Sequence, residues 1–356
     1  MTETLVAGIV AAGQAVFLLL LLLFILLRRG WDHSRRTEMA LAREALVIPL
    51  RNWLASDGSA AEVLEKLLLL PPASMVTTAS LLTHSLVPAA RRPELAALLR
   101  EQPRIRRAVA GAGSRWWWRR IEAARALSVV ATADDRELVQ RLLDDPQPEV
   151  GVSAVACLPL VADTHMIEHE LDRYATLTPM MRQYLLATLG EIPALVEPAL
   201  VGRIRSDAEP EALAIRVRLA ARLELPRALE AAVAMATHEH PAVRAAVAAA
   251  LRHLPRESSA DRLSVLLRDS VPAVREEAAA SLGALASSRA VAVLEAATHD
   301  TDWQVRRRAG LALAQLADAG REAVRALRSD SDRYVSSMAT IVSGLSDAAL
   351  LELTEN

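Results

Sequence analysis

His165, Glu168 and His169 fall in the order H-x-x-E-H, the inverse of a zinc-protease signature. On a helix, two histidines four apart share a face, where neutral imidazoles can hold zinc and the intervening glutamate can serve as a general base. One reading of these residues is therefore a metal-dependent hydrolase. The other is a histidine pair on the solvent face of a structural helix, because no convincing third-ligand helix follows and three fixed letters recur easily by chance. We assign no catalytic residue, metal or cofactor, and keep His165, Glu168 and His169 as the alternative. No G-x-S-x-G elbow, Walker loop or dinucleotide fingerprint is present in the sequence.

The second unusual cluster is Ser114-Arg115-Trp116-Trp117-Trp118-Arg119-Arg120, with three of the chain's six tryptophans. Trp117 lies 186 residues before Trp303, six periods of 31, and matches its place at the start of a helix. Its neighbours cannot share its face, since adjacent helical residues diverge by ~100°. Trp116, Trp118 and Arg119 are thus candidates for packing against preceding helices, for contact with lipid headgroups, or for a partner-binding hot spot, with packing the default. Trp53 is expected in the core.

These clusters sit in a repeat. A leucine ends a helical pattern at Leu127, Leu158, Leu189, Leu223, Leu251, Leu282 and Leu313, at spacings of 31, 31, 34, 28, 31 and 31. The 34 and 28 cancel, which reads as an insertion followed by a deletion. Seven residues before those leucines stand Arg120, Gly151, Arg182, Arg216, Arg244, Arg275 and Arg306. Ala123, Ala154, Ala278 and Ala309 supply small residues four before the leucine, where helices pack closely. Each unit reads as an Asp- and Pro-rich turn, an amphipathic helix, a short break and a second helix.

This arginine-leucine register resembles the HEAT repeat, in its short bacterial form of about thirty residues seen also in phycobilin lyases. The resemblance covers about Gly113 to the C-terminus. It implies an all-α superhelical solenoid in which repeat arginines and turn aspartates form a hydrogen-bonded ladder: Arg120, Arg182, Arg216, Arg244, Arg275 and Arg306 with Asp269, Asp300 and Asp330. HEAT proteins include a di-iron hydroxylase of a modified lysine, whose metals sit on four His-Glu dipeptides at equivalent repeat positions. This chain has two such dipeptides, His169-Glu170 and His238-Glu239, which the repeat does not relate. A phycobilin-lyase-like chromophore clamp is a further alternative. The last unit, with Ser337 in the arginine position and Asp347 and Glu352 in its second helix, is expected to be a cap with a polar outer face. Residues 38–110 read as degenerate helix pairs packed on the first repeat.

Composition agrees with a helical chain: 13 glycines and 3% aromatic residues among 356. The 41 basic and 43 acidic residues leave a formal charge of −2, so no global basic field recruits nucleic acid. Of the basic residues only Lys66 is lysine, a bias that suggests a GC-rich bacterial genome. Cys157 alone permits no internal disulfide or cysteine zinc cage and is expected to be a small buried residue.

From Leu5 to Leu27 no side chain is charged. Those 23 residues make a helix of about 34 Å, enough for a hydrocarbon core of roughly 30 Å. The run closes on Arg28 and Arg29 rather than on a small-residue cleavage site, so a membrane anchor is favoured over a signal peptide. Arg35 and Arg36 follow and Trp31 suits the headgroup layer, which places the N-terminus outside and the rest in the cytoplasm. Gly8, Ala12 and the alanines at 7, 11 and 15 would let another helix approach, including that of a second copy.

The sequence thus predicts an anchor over 1–29, a juxtamembrane and degenerate helical region over 30–112, and a solenoid with its cap over 113–356. We expect a non-catalytic scaffold at a bacterial inner membrane, binding a protein partner and no nucleic acid. Likeness to membrane-anchored bacterial proteins implies an envelope-polysaccharide glycosyltransferase of family 2 as that partner. Contact segments are expected on second helices, over Ala260–Arg268, Ala290–Thr298 and Arg321–Arg328.

Overall fold

The structure is a computed structural model describing residues 46–55, 58–206 and 209–355. The predicted span Leu5–Leu27, its small-residue stripe, and Arg28, Arg29, Trp31, Arg35 and Arg36 lie outside the described residues. Among the described residues no single helix is long and apolar enough to cross a membrane. They form helices joined by short turns, with no strand among them.

Contacts divide the chain into one unit that ends at Val161 and another that begins at Ala162. In the first, a helical stretch at 46–54 precedes α1 (Ala60–Leu68), α2 (Pro72–Ser85), α3 (Arg92–Arg100) and α4 (Pro103–Ala110). Then come α5 (Trp117–Val130), α6 (Arg136–Leu143), α7 (Pro148–Val155) and α8 (Leu158–Val161). The helices before α5 bury Leu46, Trp53, Val63, Leu67, Met75, Leu95 and Leu99 in one cluster with Ala126, Val129 and Val130 of α5. These helices thus pack on the first repeat helix through a shared apolar cluster. Trp53 is fully buried, and its indole N–H finds Glu94 Oε2 at 3.0 Å, as a buried indole requires.

The second unit comprises α9 (Thr164–Arg173), α10 (Pro179–Gly190), α11 (Pro193–Ser206), α12 (Pro210–Arg222), α13 (Pro226–Val233), α14 (Pro241–Leu251) and α15 (Arg256–Leu266). It continues through α16 (Pro272–Leu285), α17 (Val291–Ala297), α18 (Trp303–Gln315), α19 (Ala317–Leu327), α20 (Arg333–Ser343) and α21 (Asp347–Glu355). First helices α12, α14, α16, α18 and α20 stack in succession, and the second helices flank them.

Helix starts correct the sequence register. Trp117, Pro148, Pro179, Pro210, Pro241, Pro272 and Trp303 open the first helices at an unbroken spacing of 31. There is no insertion and no deletion. Proline at the first helical position has no amide proton to leave unpaired and a preset φ, so it fixes where each helix begins. In α12 the arginine and leucine positions are therefore Leu213 and Ala220, which are 2% and 0% exposed. Arg216 and Leu223 stand one turn later, and Leu223 is only partly buried. The last unit is one residue shorter, with α20 opening at Arg333, so Ser336 takes the arginine position instead of Ser337. Its outer face is not uniformly polar either: Ile341 and Leu351 are exposed.

Small residues set the approach of the stacked helices. Ala278 and Ala309 are fully buried, and a Cβ on Gly283 would lie 2.8 Å from both Cα and Cβ of Ala312. Gly283→Ala is expected to lower stability by about 1–3 kcal/mol through overpacking between α16 and α18, measured as a fall in the midpoint of thermal unfolding.

Candidate functional site

The arginines form a ladder with one repeated geometry. Arg244 donates from Nε and Nη2 to Asp269 Oδ2 and Oδ1 at 2.7 and 2.8 Å, and from Nη1 to the carbonyls of His238 and Glu239, both at 2.8 Å. Arg275 does the same with Asp300, at 2.7 and 2.7 Å, and with the carbonyls of Asp269 and Ser270. In the first unit Arg120 holds Asp145 at 2.5 and 2.8 Å and the carbonyls of Ser114 and Arg115. Each planar guanidinium thus clamps the turn before its own helix to the turn before the next one, a bidentate geometry that lysine cannot reproduce. Each aspartate also accepts the amide two residues on, at Gln147, Val271 and Asp302.

The other predicted rungs differ, and the corrected register explains them. Arg216 is not a ladder residue: its Nη2 meets Asp172 Oδ1 at 2.8 Å, and Asp172 also holds Arg203 at 2.7 Å. At the true position Leu213 cannot pair, and the turn residue twenty-five later is His238, whose Nδ1 keeps only the capping task by accepting the His240 amide at 3.0 Å. Gly151 is likewise followed by Thr176. For Arg182 the matching position, 207, lies outside the described residues. Arg306 holds the carbonyls of Asp300 and Thr301 at 2.8 and 3.1 Å, but the expected Arg306–Asp330 pair does not form. Because that unit is one residue short, Asp330 takes His299 Nε2 at 3.1 Å, and Tyr334 lies 5.4 Å from the Arg306 guanidinium, with its ring beneath it.

These bonds set the charge states. Hydrogen bonds from Arg244 hold the Asp269 carboxyl below its ordinary range. Burial pushes Asp300 up, yet the Arg275 bonds and the Asp302 amide outweigh it and the net direction is down. Hydrogen bonding to Asp269 and to Asp300 raises Arg244 and Arg275 in turn.

His165 and His169 are both exposed on α9, whose buried residues are Met166, Ile167, Glu170 and Leu171. Glu168 points at Arg203, 3.6 Å away, rather than into a site between the histidines. Among the described residues no group of three potential ligands within metal-binding reach contains both histidines. Cys157 is fully buried with Sγ 3.4 Å from the Ala124 carbonyl, and burial pushes its thiol far above the ordinary range, a packing role rather than a nucleophile's.

The tryptophans depart from the packing default. Trp116, Trp117 and Trp118 are 41%, 44% and 49% exposed. The helix starts at Trp117, so Trp116 is the extended residue before it, at φ −90° and ψ 115°, and its ring folds back on Trp118 with centroids 4.6 Å apart. Trp117 meets Trp118 edge-on at 6.1 Å, and Arg115 covers Trp116 at 4.6 Å. Arg119 is exposed beside them. On the second helices, exposed residues include Asp261, Arg262 and Val265 of α15, Ala292 and Glu295 of α17, and Arg321, Glu322 and Arg325 of α19.

Residues 260–344 match the family model of HEAT repeats. No curated protein matches the chain. Among solved structures, an engineered protein is 18% identical over 82% of this chain and 96% of its own, with a TM-score of 0.35. Human deoxyhypusine hydroxylase in complex with glycerol is 18% identical over 75% of this chain and 98% of its own, at 0.29. The Pds5–Scc1 complex gives 12% identity over 86% of this chain and 56% of that one, at 0.36. The match assigns HEAT repeats to residues 260–344, and the helix order shows that the described residues around them are all-helical and built from repeated helix pairs.

Two experiments test the ladder. Asp300→Asn is expected to cost about 2–3 kcal/mol at neutral pH by leaving Arg275 without its counter-charge. Since the native carboxyls of Asp269 and Asp300 sit below their unfolded value, near 3.9, their contribution is complete above that pH and is lost as the pH falls toward the native value. Thermal unfolding followed from pH 7 downward should therefore show a steeper acid loss in the parent than in Asp300→Asn. Building a rung with Leu213→Arg and His238→Asp is expected to harm as single changes but to recover about 1–3 kcal/mol of coupling in the double mutant.

Proposed function

We propose that the protein is a non-catalytic scaffold, tethered to a membrane by Leu5–Leu27, whose HEAT-type repeats bind a protein partner at the cytoplasmic face. The observation that carries this reading is the tryptophan cluster. Three large aromatic rings, one pair stacked and the third edge-on, each two-fifths or more exposed, form an apolar surface with Arg115 and Arg119 beside it. That composition suits the centre of a protein interface, where Trp and Arg supply most of the binding energy. The ladder supports the reading from the other side, because its arginines are committed to holding successive turns together.

Tethering confines the repeats to two dimensions, which raises their effective concentration toward a membrane-bound partner. The partner class we propose is an envelope-polysaccharide glycosyltransferase at a bacterial inner membrane. Anchor and surface are separable in this reading. Deleting residues 1–29 is expected to move the chain from the membrane fraction to the soluble fraction with its helical circular dichroism intact. A photo-crosslinker replacing Trp116 in the full chain is expected to give one dominant protein adduct in membranes, lost when Trp118 is changed to Ala. An adduct with lipid alone would sink the scaffold reading, and a truncated chain that stays with the membrane would sink the tether.

A further inference from the structure

The stack of first helices is interrupted between α10 and α12, which do not pack along their length as the succeeding pairs do. The corrected register gives the cause. Six residues after each helix start, the closely packed units carry Ala123, Ala154, Ala278 and Ala309, whereas α10 and α12 carry Leu185 and Arg216. Leu185 is fully buried and Arg216 is 7% exposed, so two bulky side chains stand inward at positions where those units carry alanine. The helices still approach near their C-terminal ends, where a Cβ on Gly190 would lie 3.8 Å from a Leu223 methyl.

What remains is a cleft of about 520 Å³. Its floor and edges are apolar, from Tyr174, Pro179, Ile215 and Leu219, and its polar wall carries Arg182, Arg218 and Arg222. Arg218 and Arg222 stand four apart on one face of α12, a like-charge spacing that works against the helix unless an anion relieves it. Among the described residues neither makes an ion pair or side-chain hydrogen bond; Arg216 and Arg203, by contrast, share Asp172. The acidic residues nearby face elsewhere, Glu211 of the same helix toward His240 at 3.7 Å and Glu224, just past its end, toward His253 at 3.9 Å.

We propose that this cleft binds an acidic peptide segment of the partner, with alternate apolar side chains on Ile215, Leu219 and Tyr174 and carboxylates on Arg218, Arg222 and Arg182. This rests on the scaffold reading and names a site and a chemistry for it, on the first helices rather than the second. The mixed apolar and cationic lining selects a peptide over a free phosphate, which would leave the apolar floor unused. Charge complementarity of this kind sets specificity and association rate, and weakens with salt.

The test uses the purified full chain in detergent and a short fluorescein-labelled peptide in which glutamates alternate with leucine and serine, read by fluorescence anisotropy. The expected result is saturable binding that weakens with added salt and drops by roughly tenfold or more in Arg218→Glu/Arg222→Glu. Arg141→Glu, an exposed charge reversal on α6 outside the cleft, is expected to leave binding unchanged. A glutamine-for-glutamate peptide that binds equally well, or a double variant that binds as the parent does, would overturn the proposal, with circular dichroism confirming that the variants are folded. Displacement of the peptide by millimolar inorganic phosphate alone would reassign the cleft to a small anion. Because no membrane and no cellular partner enters this measurement, its failure leaves the tether and the tryptophan surface standing, and theirs leaves the cleft.

Discussion

The guanidinium clamp between successive turns is the interaction on which the repeat geometry depends. A first helix can slide or tilt against its neighbour as long as apolar side chains are its only contact, since hydrophobic burial has no direction. Arg275 removes that freedom. Its Nη1 grips the carbonyls of Asp269 and Ser270 while Nε and Nη2 grip Asp300, so two turns 31 residues apart are held at one separation. Asp269 is shared, its carboxylate serving Arg244 and its carbonyl serving Arg275. The rungs therefore connect into one polar thread from the His238 carbonyl to Arg306, along the stack whose core is mostly alanine, valine and leucine. At its far end the Tyr334 ring takes the place of a carboxylate. Partly buried and multiply bonded, each rung meets the condition under which an ion pair repays its desolvation.

Much of this was legible in the residues, and what was not follows from one property of helices. Arg-x6-Leu marks a helix face, and a face recurs every three or four residues, so the pattern can slip by a turn without losing its apolar stripe. That happened at Arg216 and Leu223, which repeat the letters one turn late. Proline marks an end rather than a face, which is why Pro210 holds the 31-residue period through the same unit. The leucines at 127, 158, 189, 251, 282 and 313 are all 1% exposed or less, whereas Leu223 is not. The tryptophan cluster was less readable, because helical geometry keeps neighbours apart only while both are helical. Trp116 stands outside the helix, free to fold its ring onto Trp118. In the H-x-x-E-H run the letters were right and the face was solvent, with the glutamate committed to Arg203.

Small residues govern how far the rungs can do their work. Where alanine stands six residues into a helix, backbones come close enough that even glycine has a purpose, as Gly283 shows against Ala312. Where leucine faces arginine, between α10 and α12, the helices do not pack along their length. The missing rung at Leu213 and His238 and the bulky pair Leu185 and Arg216 occur in adjacent units, so loss of the polar clamp and loss of close packing fall in the same stretch of the stack.

This coincidence has a consequence for recognition. A ladder arginine is neutralised by its own aspartate and offers little to a ligand, so the regular part of a repeat protein is electrostatically quiet despite its many charges. A partner can read only what the regularity leaves over. Among the groups so left over are the arginines off the register, Arg218 and Arg222, and the aromatic residues at the edge of the first repeat helix, Trp116 to Trp118 with Arg115. The first pair lies on the helix whose rung is missing, the second where the repeat begins. Regular units fix the spacing, and the exceptions supply the chemistry that the proposed contacts would use.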